Sequence, residues 1–257
     1  VSVGNFGSVK GFCDDRFSAT RAAFERCFTE LGETGAALSI YYAGELVCDL
    51  HGGIVKEGQA WMDDTLVMPY SVSKPFAALC CLILVDRGML DVEMPVCHYW
   101  PEFGAAGKEH CTVRQLLEHQ AGVPFAPPGC TIEDIYDVEG ITSRLAAQSP
   151  TWPCGQVTAE HALLYGHLCG ALVQRITGQS LGSFFRQEVG ERFGIEMHFG
   201  LPEGLMDRCA EISAWPEDVV QQLRSLTPLA EAGLFVPDVM CTSAIMNSPQ
   251  WRQAEIP

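Results

Sequence analysis

The sequence predicts an α+β fold, and the order of its segments carries that reading. An amphipathic helical pattern comes first, two β-rich runs follow it, and a long succession of helical segments fills the middle of the chain. With 257 residues, 47% hydrophobic and 19% charged, the chain can bury a substantial core and fits one large domain or two small ones.

From Phe17 to Leu31, the apolar residues Phe17, Phe24, Phe28 and Leu31 fall on one helical stripe, with Ser18 or Thr20 as a cap and Gly32 as a stop. The runs Ala37 to Tyr42 and Leu46 to Leu50, joined by the short turn Ala43-Gly44-Glu45, predict a β-hairpin. Past a polar loop holding Trp61, Asp63 and Asp64, a helix opens at Ser71-Val72-Ser73-Lys74, runs to about Arg87 and stops at Gly88. Its apolar residues occupy every face, the pattern of a helix surrounded by protein. Thr112 opens a short capped helix that ends before Gly122, and the stretch from Ile132 to Ser149 holds one or two helices. A further helix is expected from about Glu160 to Ile176, stopped by Gly178, and another lies between Ser180 and Gly194. From Leu201 the chain is less regular, interrupted by Pro202, Pro216, Pro228 and Pro237.

Charge narrows the partners. Against 32 acidic side chains stand 16 basic ones, and the net −16 repels phosphate backbones and anionic lipid, so neither nucleic acid nor a membrane surface is expected. The longest apolar run, Pro75 to Val85, is far shorter than the ~18 residues a bilayer span requires. The N-terminal "VSVGNFGSVKGF" has no basic stretch followed by an apolar one, so a retained signal peptide is not supported. Twelve cysteines are scattered without a Cys-x-x-Cys pair, several inside apolar patterns such as "ALCCLIL". That usage predicts reduced, buried thiols in a cytoplasmic protein and no zinc site. Asp63 and Asp64 lack a histidine at ligand spacing and read as loop or cap residues, so no metal is expected there.

The chemistry centres on Ser71 and Lys74. A serine hydroxyl is a feeble nucleophile near neutral pH without a neighbouring base, and a lysine serves as one only where burial or a nearby cation favours its neutral amine. Residues three apart at a helix start lie on one face, so the Ser71 hydroxyl can meet the Lys74 amine, and the apolar run that follows supplies desolvation. The helix N-terminus favours negative charge, and the Ser71 N–H suits an oxyanion. The alternative is a plain helix start, with Ser71 or Ser73 as N-cap, Pro75 in the first turn and Lys74 in solvent.

The stretch "DDTLVMPYSVSKPFAALCCLILVDRGMLDVEMPVCHYWPEF", then "GKEHCTVRQLLEHQAGVP" and "GHLCGALVQRITGQSLGSFFRQEV", closely resembles the serine β-lactamase and penicillin-binding-protein superfamily, in its class C-like, family VIII-type carboxylesterase branch. The resemblance covers roughly Ala37 to Leu201, with the segments in the same order and at matching separations. It implies a β-lactamase-like fold: an antiparallel sheet flanked by helices, an all-helical lobe, and an active site in the cleft between them. It implies residues 1–70 as the N-terminal helix and hairpin of the α/β lobe, 71–200 as the nucleophile helix and helical lobe, and 201–257 as a return segment toward the α/β lobe. It also implies Ser71 as the acylated nucleophile and Lys74 as its base, acting on esters, lactones or β-lactam-like acyl substrates without a cofactor.

Two departures stand out. The resemblance implies a tyrosine five residues after the Gly of a Pro-Gly turn, but in "WPCGQVTAEHALLYGH" that position, counted from Gly155, is Glu160. Tyr165 is the fallback, although five residues along a helix turn it about 140° away at ~100° per residue. A carboxylate beside Lys74 favours the ammonium and weakens it as a base. Three readings are open: a natural variant using Glu160, a substitution that disables the enzyme, or an offset that brings Tyr165 into the site. The second departure is at the end of the chain, where the family continues into the strands that complete the sheet and carry a Lys-Thr-Gly-like motif. "HGG" at His51 to Gly53 precedes the nucleophile and cannot replace it. With two predicted strands, the sheet would keep an unpaired edge, so a missing C-terminal segment, a second chain or a homo-oligomer is expected to complete it.

The expected function is a serine hydrolase cleaving small carboxylic esters through an acyl-enzyme on Ser71. The alternatives are an acyltransferase of the same fold and a pseudoenzyme retained as a binding or scaffold protein. Trp61, Tyr99, Trp100 and Phe125 are either acyl-pocket or core residues, and His161 and His167 read as packing or surface residues.

Overall fold

The structure, a computed structural model, describes residues 8–213 and 247–255. These form two compact units, one comprising the chain up to Met68 with Gly204–Ile212, the other Pro69–Glu203 with the described residues from Ser213 on. Of the described residues beyond Leu201, Gly204–Ile212 group with the sheet-bearing unit and the short helix Pro249–Gln253 with the helical one. The stretch interrupted by Pro216, Pro228 and Pro237 lies outside the described residues.

In the first unit, β1 (Lys10–Cys13), α1 (Ser18–Glu30), β2 (Gly35–Tyr42), β3 (Glu45–Lys56) and β4 (Gln59–Ala60) follow in chain order. The antiparallel sheet runs β1-β3-β2, with β4 paired to β3, so the described residues hold four strands where the sequence predicted two. β1 was missed because it is four residues long and mostly exposed, and its pairing with β3 is remote in sequence. The hairpin turn has two residues, not three. Ala43 and Gly44 both take positive φ, 51° and 84°, which suits the right-handed twist of the strands they join. A bulge sets Tyr41 opposite Leu46 after Ile40 opposite Cys48.

Phe24 and Phe28 of α1 pack against Cys48 and Leu50 of the sheet, with Cys13, Ala36, Leu38 and Ile40 around them. The expected stripe is shorter than its sequence pattern. Phe17 precedes α1 and lies 5.9 Å from the Tyr42 ring, while Leu31 follows the helix and is exposed. Neither Ser18 nor Thr20 caps α1; the preceding turn is capped instead by Asp14, which accepts from the Arg16 N–H. Asp63 faces the His51 ring at 3.2 Å and Asp64 pairs with Arg208 at 3.2 Å. Trp61 is core, with Val55 and Ala210.

The helical unit opens with a 3₁₀ turn, Tyr70–Ser73, that feeds α2 (Lys74–Asp86), and Gly88 ends it at φ 67°. After it come α3 (Val113–Leu117), α4 (Ile132–Tyr136), α5 (Val138–Ala147), α6 (Tyr165–Thr177) and α7 (Leu181–Phe185). α6 is the centre of this unit, buried from Tyr165 through Val173, and α2 packs along it. α2 is not covered all round: Leu82 is half-exposed, so its uniform apolar pattern overstates its burial. Trp100 is fully buried beside Phe103, with the Arg175 guanidinium 4.5 Å from its ring, and Phe125 stacks edge-on to Trp152. Tyr99 accepts the Asp91 N–H on its phenol oxygen. These aromatics are thus packing residues.

Lys108 has no accessible surface, and burial pushes its pKa down. Its ammonium donates to the carbonyl oxygens of Ala105 and Ala146 at 3.0 Å and to that of Gln148, which ties the C-terminal end of α5 to the 101–108 segment. All eleven described cysteines are free thiols, and Cys13 and Cys48 face one another across β1 and β3 with sulfurs 3.1 Å apart. No helix among the described residues is long and apolar enough to cross a membrane.

Candidate active site

The 3₁₀ turn at Tyr70–Ser73 leaves Ser71 exposed and Lys74 buried. Tyr70 holds φ 48°, an uncommon conformation for a side chain of its size and one that marks a tightly constrained turn. Val72 N–H donates to the Pro69 carbonyl at 3.2 Å, and the Ser73 hydroxyl to the Tyr70 carbonyl at 2.6 Å. Ser73 is thereby committed to the backbone of the turn and does not cap α2. Pro75 occupies the first helical turn, where its missing N–H costs nothing.

Ser71 is exposed, whereas Lys74, one helical turn on, is 8% exposed. Lys74 Nζ donates to Ser71 Oγ at 2.8 Å. The plain helix start, with Lys74 in solvent, is therefore not what the chain adopts. Glu160 completes the cluster, its Oε1 3.3 Å from Lys74 Nζ and its side chain 59% exposed. At that separation two unit charges attract by about 1 kcal/mol in a water-like dielectric, and more as water is excluded.

Glu160 is not on a helix. The helix expected from Glu160 begins at Tyr165. The 151–161 stretch runs beside 119–122: Thr151 N–H donates to the Gly122 carbonyl at 2.7 Å, Gly155 N–H to Gln120 at 2.9 Å and Ala159 N–H to His119 at 3.0 Å. Gly122 lies at φ 72°, and a Cβ there would meet the Trp152 carbonyl oxygen at 2.4 Å, so the close run of the two stretches requires glycine. α6 starts only where Tyr165 N–H reaches the His161 carbonyl at 2.9 Å. The 140° helical rotation expected between Glu160 and Tyr165 consequently does not apply.

Tyr165 is buried and its hydroxyl donates to the Leu117 carbonyl at 3.1 Å, so Glu160 rather than Tyr165 is the side chain in contact with Lys74. Burial pushes the Tyr165 phenol far up, which keeps it protonated. Two histidines lie behind Glu160. His161 has no accessible surface, and burial lowers its pKa to about 3, so its ring is neutral. His119 is lowered too, chiefly by burial, with Glu160 opposing that shift. His167, also buried, has both ring nitrogens at carbonyl oxygens, Leu163 at 3.1 Å and Ile135 at 3.0 Å. Sequence reasoning passed over His119 and had no local signal for it: its significance comes from a segment forty-two positions away.

The β-lactamase family profile matches residues 24–236. The chain is 36% identical over 215 residues to the esterase/β-lactamase LipL of Mycobacterium tuberculosis, a match spanning 82% of this chain and 49% of that protein. The chain belongs to the β-lactamase family. Two solved structures are similar to it: a family VIII carboxylesterase at 35% identity, and a penicillin-binding-protein homologue from Caulobacter crescentus at 34%, each with a TM-score of 0.83 and each match covering 97% of this chain and 66% of the other. The chain spans about half the length of the curated relatives it matches. The α+β reading, an antiparallel sheet with a helical lobe, agrees with this β-lactamase-like architecture.

Proposed function

We propose that this protein is a serine hydrolase of carboxylic esters that forms an acyl-enzyme on Ser71. The observation that carries the reading is the 2.8 Å contact between an exposed serine hydroxyl and a buried lysine amine at the start of α2. Similarity to the esterase/β-lactamase LipL and to a family VIII carboxylesterase supports ester chemistry.

In this reading Lys74, as the neutral amine, takes the Ser71 proton while Oγ attacks the ester carbonyl. The tetrahedral oxyanion forms near the Ser71 N–H, where the helix N-terminus favours negative charge. As the C–O bond breaks, the Lys74 ammonium returns the proton to the leaving alkoxide, and water then hydrolyses the acyl-Ser71 ester by the reverse sequence. Only the chain's own side chains are needed, so no cofactor enters. The substrate is a small molecule, and the free thiols favour a reducing compartment such as the cytoplasm.

Glu160 weakens this machinery. Its carboxylate faces the Lys74 amine at 3.3 Å, and it lacks the phenolic proton that the related tyrosine would pass to the leaving group. Glu160→Tyr is therefore expected to raise ester turnover by about tenfold. An unchanged or lower rate in a p-nitrophenyl acetate assay would remove Glu160 from the mechanism.

The reading itself is tested with a fluorophosphonate probe and peptide mass analysis. An adduct on Ser71, absent from Ser71→Ala, is the expected result. A folded protein that gives no adduct is instead a pseudoenzyme, acting as a binding or scaffold protein.

A further inference from the structure

The geometry points to His119 as the positioning residue that holds Glu160 against Lys74, a role that rests on the hydrolase reading for its effect on catalysis. Both residues that flank Glu160 are tied through their N–H groups to this one residue. Ala159 N–H donates to the His119 carbonyl oxygen at 3.0 Å, and His161 N–H donates to the His119 ring Nδ1 at 3.1 Å. Glu160 sits between these two bonds and so has little freedom to leave Lys74 Nζ, 3.3 Å from its Oε1.

Three further features fix the clamp. The bond from the His161 N–H uses the lone pair of His119 Nδ1, so the neutral imidazole carries its proton on Nε2. The His119 ring is held between aromatic neighbours, 4.6 Å from the Tyr165 ring and 5.1 Å from the His161 ring. Its backbone takes φ 61°, a left-handed conformation that histidine and asparagine tolerate better than most residues and that persists only where the surroundings enforce it. A residue that merely filled space would need neither the ring acceptor nor this backbone. Here both place one carbonyl and one ring nitrogen where residues 159 and 161 can reach them together.

Glu160 lies ahead of α6, outside the helix, and the helical ladder begins with the N–H groups of Leu164 and Tyr165, which both reach the His161 carbonyl.

Two variants separate positioning from packing. His119→Asn keeps an acceptor, Oδ1, near the place of Nδ1 and suits the left-handed backbone, whereas His119→Ala removes the acceptor. In the intact protein, amide hydrogen exchange at His161 is expected to accelerate at least about tenfold in His119→Ala and by less than about threefold in His119→Asn, a readout independent of activity. The second readout is the ratio of kcat for Glu160→Tyr to kcat for Glu160 with His, Asn or Ala at 119. That ratio is expected to stay near about tenfold with His or Asn and to collapse toward one with Ala, because an unheld side chain at 160 no longer reaches Lys74. A purely structural role would scale both rates together and leave the ratio unmoved. If Ser71 takes no fluorophosphonate the hydrolase reading fails while the exchange result still decides the clamp; equal exchange at His161 in the Ala and Asn variants overturns the clamp itself.

Discussion

Replacing Lys74 with methionine is expected to lower kcat/KM for a p-nitrophenyl ester by at least ~10²-fold while leaving the unfolding midpoint within a few degrees of the parent. Methionine matches the length of the lysine stem and is apolar, so the pocket that buries Lys74 keeps its filling. What it removes is the only side-chain group recorded within hydrogen-bonding distance of Ser71 Oγ among the described residues. Ser71 would then face a substrate with water as its proton acceptor, and general-base assistance of this kind is worth about 10² to 10⁴ in rate. The assay pairs steady-state hydrolysis with thermal unfolding of both proteins. A variant that retains more than about a tenth of the parent rate would show that the base lies elsewhere.

The largest expected stability effect falls at Lys108, far from any reaction. Lys108→Met is expected to lower the unfolding free energy by about 2 kcal/mol. Three carbonyl oxygens, those of exposed Ala105, buried Ala146 and half-buried Gln148, share its ammonium, and methionine would leave the Ala146 oxygen buried without that donor. An unsatisfied buried carbonyl costs about 1 to 3 kcal/mol, so even partial relaxation leaves a large deficit. Two of the three lie at the C-terminal end of α5, where a cation also opposes the helix dipole. Urea unfolding followed by circular dichroism checks this. A midpoint unchanged from the parent would mean that water replaces the ammonium at all three oxygens.

Much of the helical unit was legible from spacing. α3 with its Thr112 cap and the Gly178 stop of α6 follow from short-range rules of hydrogen bonding and periodicity, and the structure has them where the sequence places them. The hairpin was legible for the same reason, since a turn and its flanking strands are neighbours in the chain. β1 and β4 were not, because a short strand is defined by its partner. Burial was the other blind spot: Leu31 and Leu82 are as apolar as their neighbours yet remain exposed.

The candidate site divides the same way. Ser71 and Lys74 meet because residues three apart at a helix start share a face, a relation that any sequence displays openly. Glu160 reaches them by a different route. Its approach depends on His119 capturing the amide of His161 and on Gly122 letting the Trp152 carbonyl pass, contacts that join segments thirty or more positions apart. So the sequence by itself determined the α+β class, the family and the meeting of Ser71 with Lys74. Tertiary structure alone decided that position 160 is an extended, clamped residue facing an amine and that Tyr165 is a core phenol. The physical reason is that local hydrogen-bond geometry is written into spacing, whereas the partner of a loop amide is chosen by whatever the fold brings beside it.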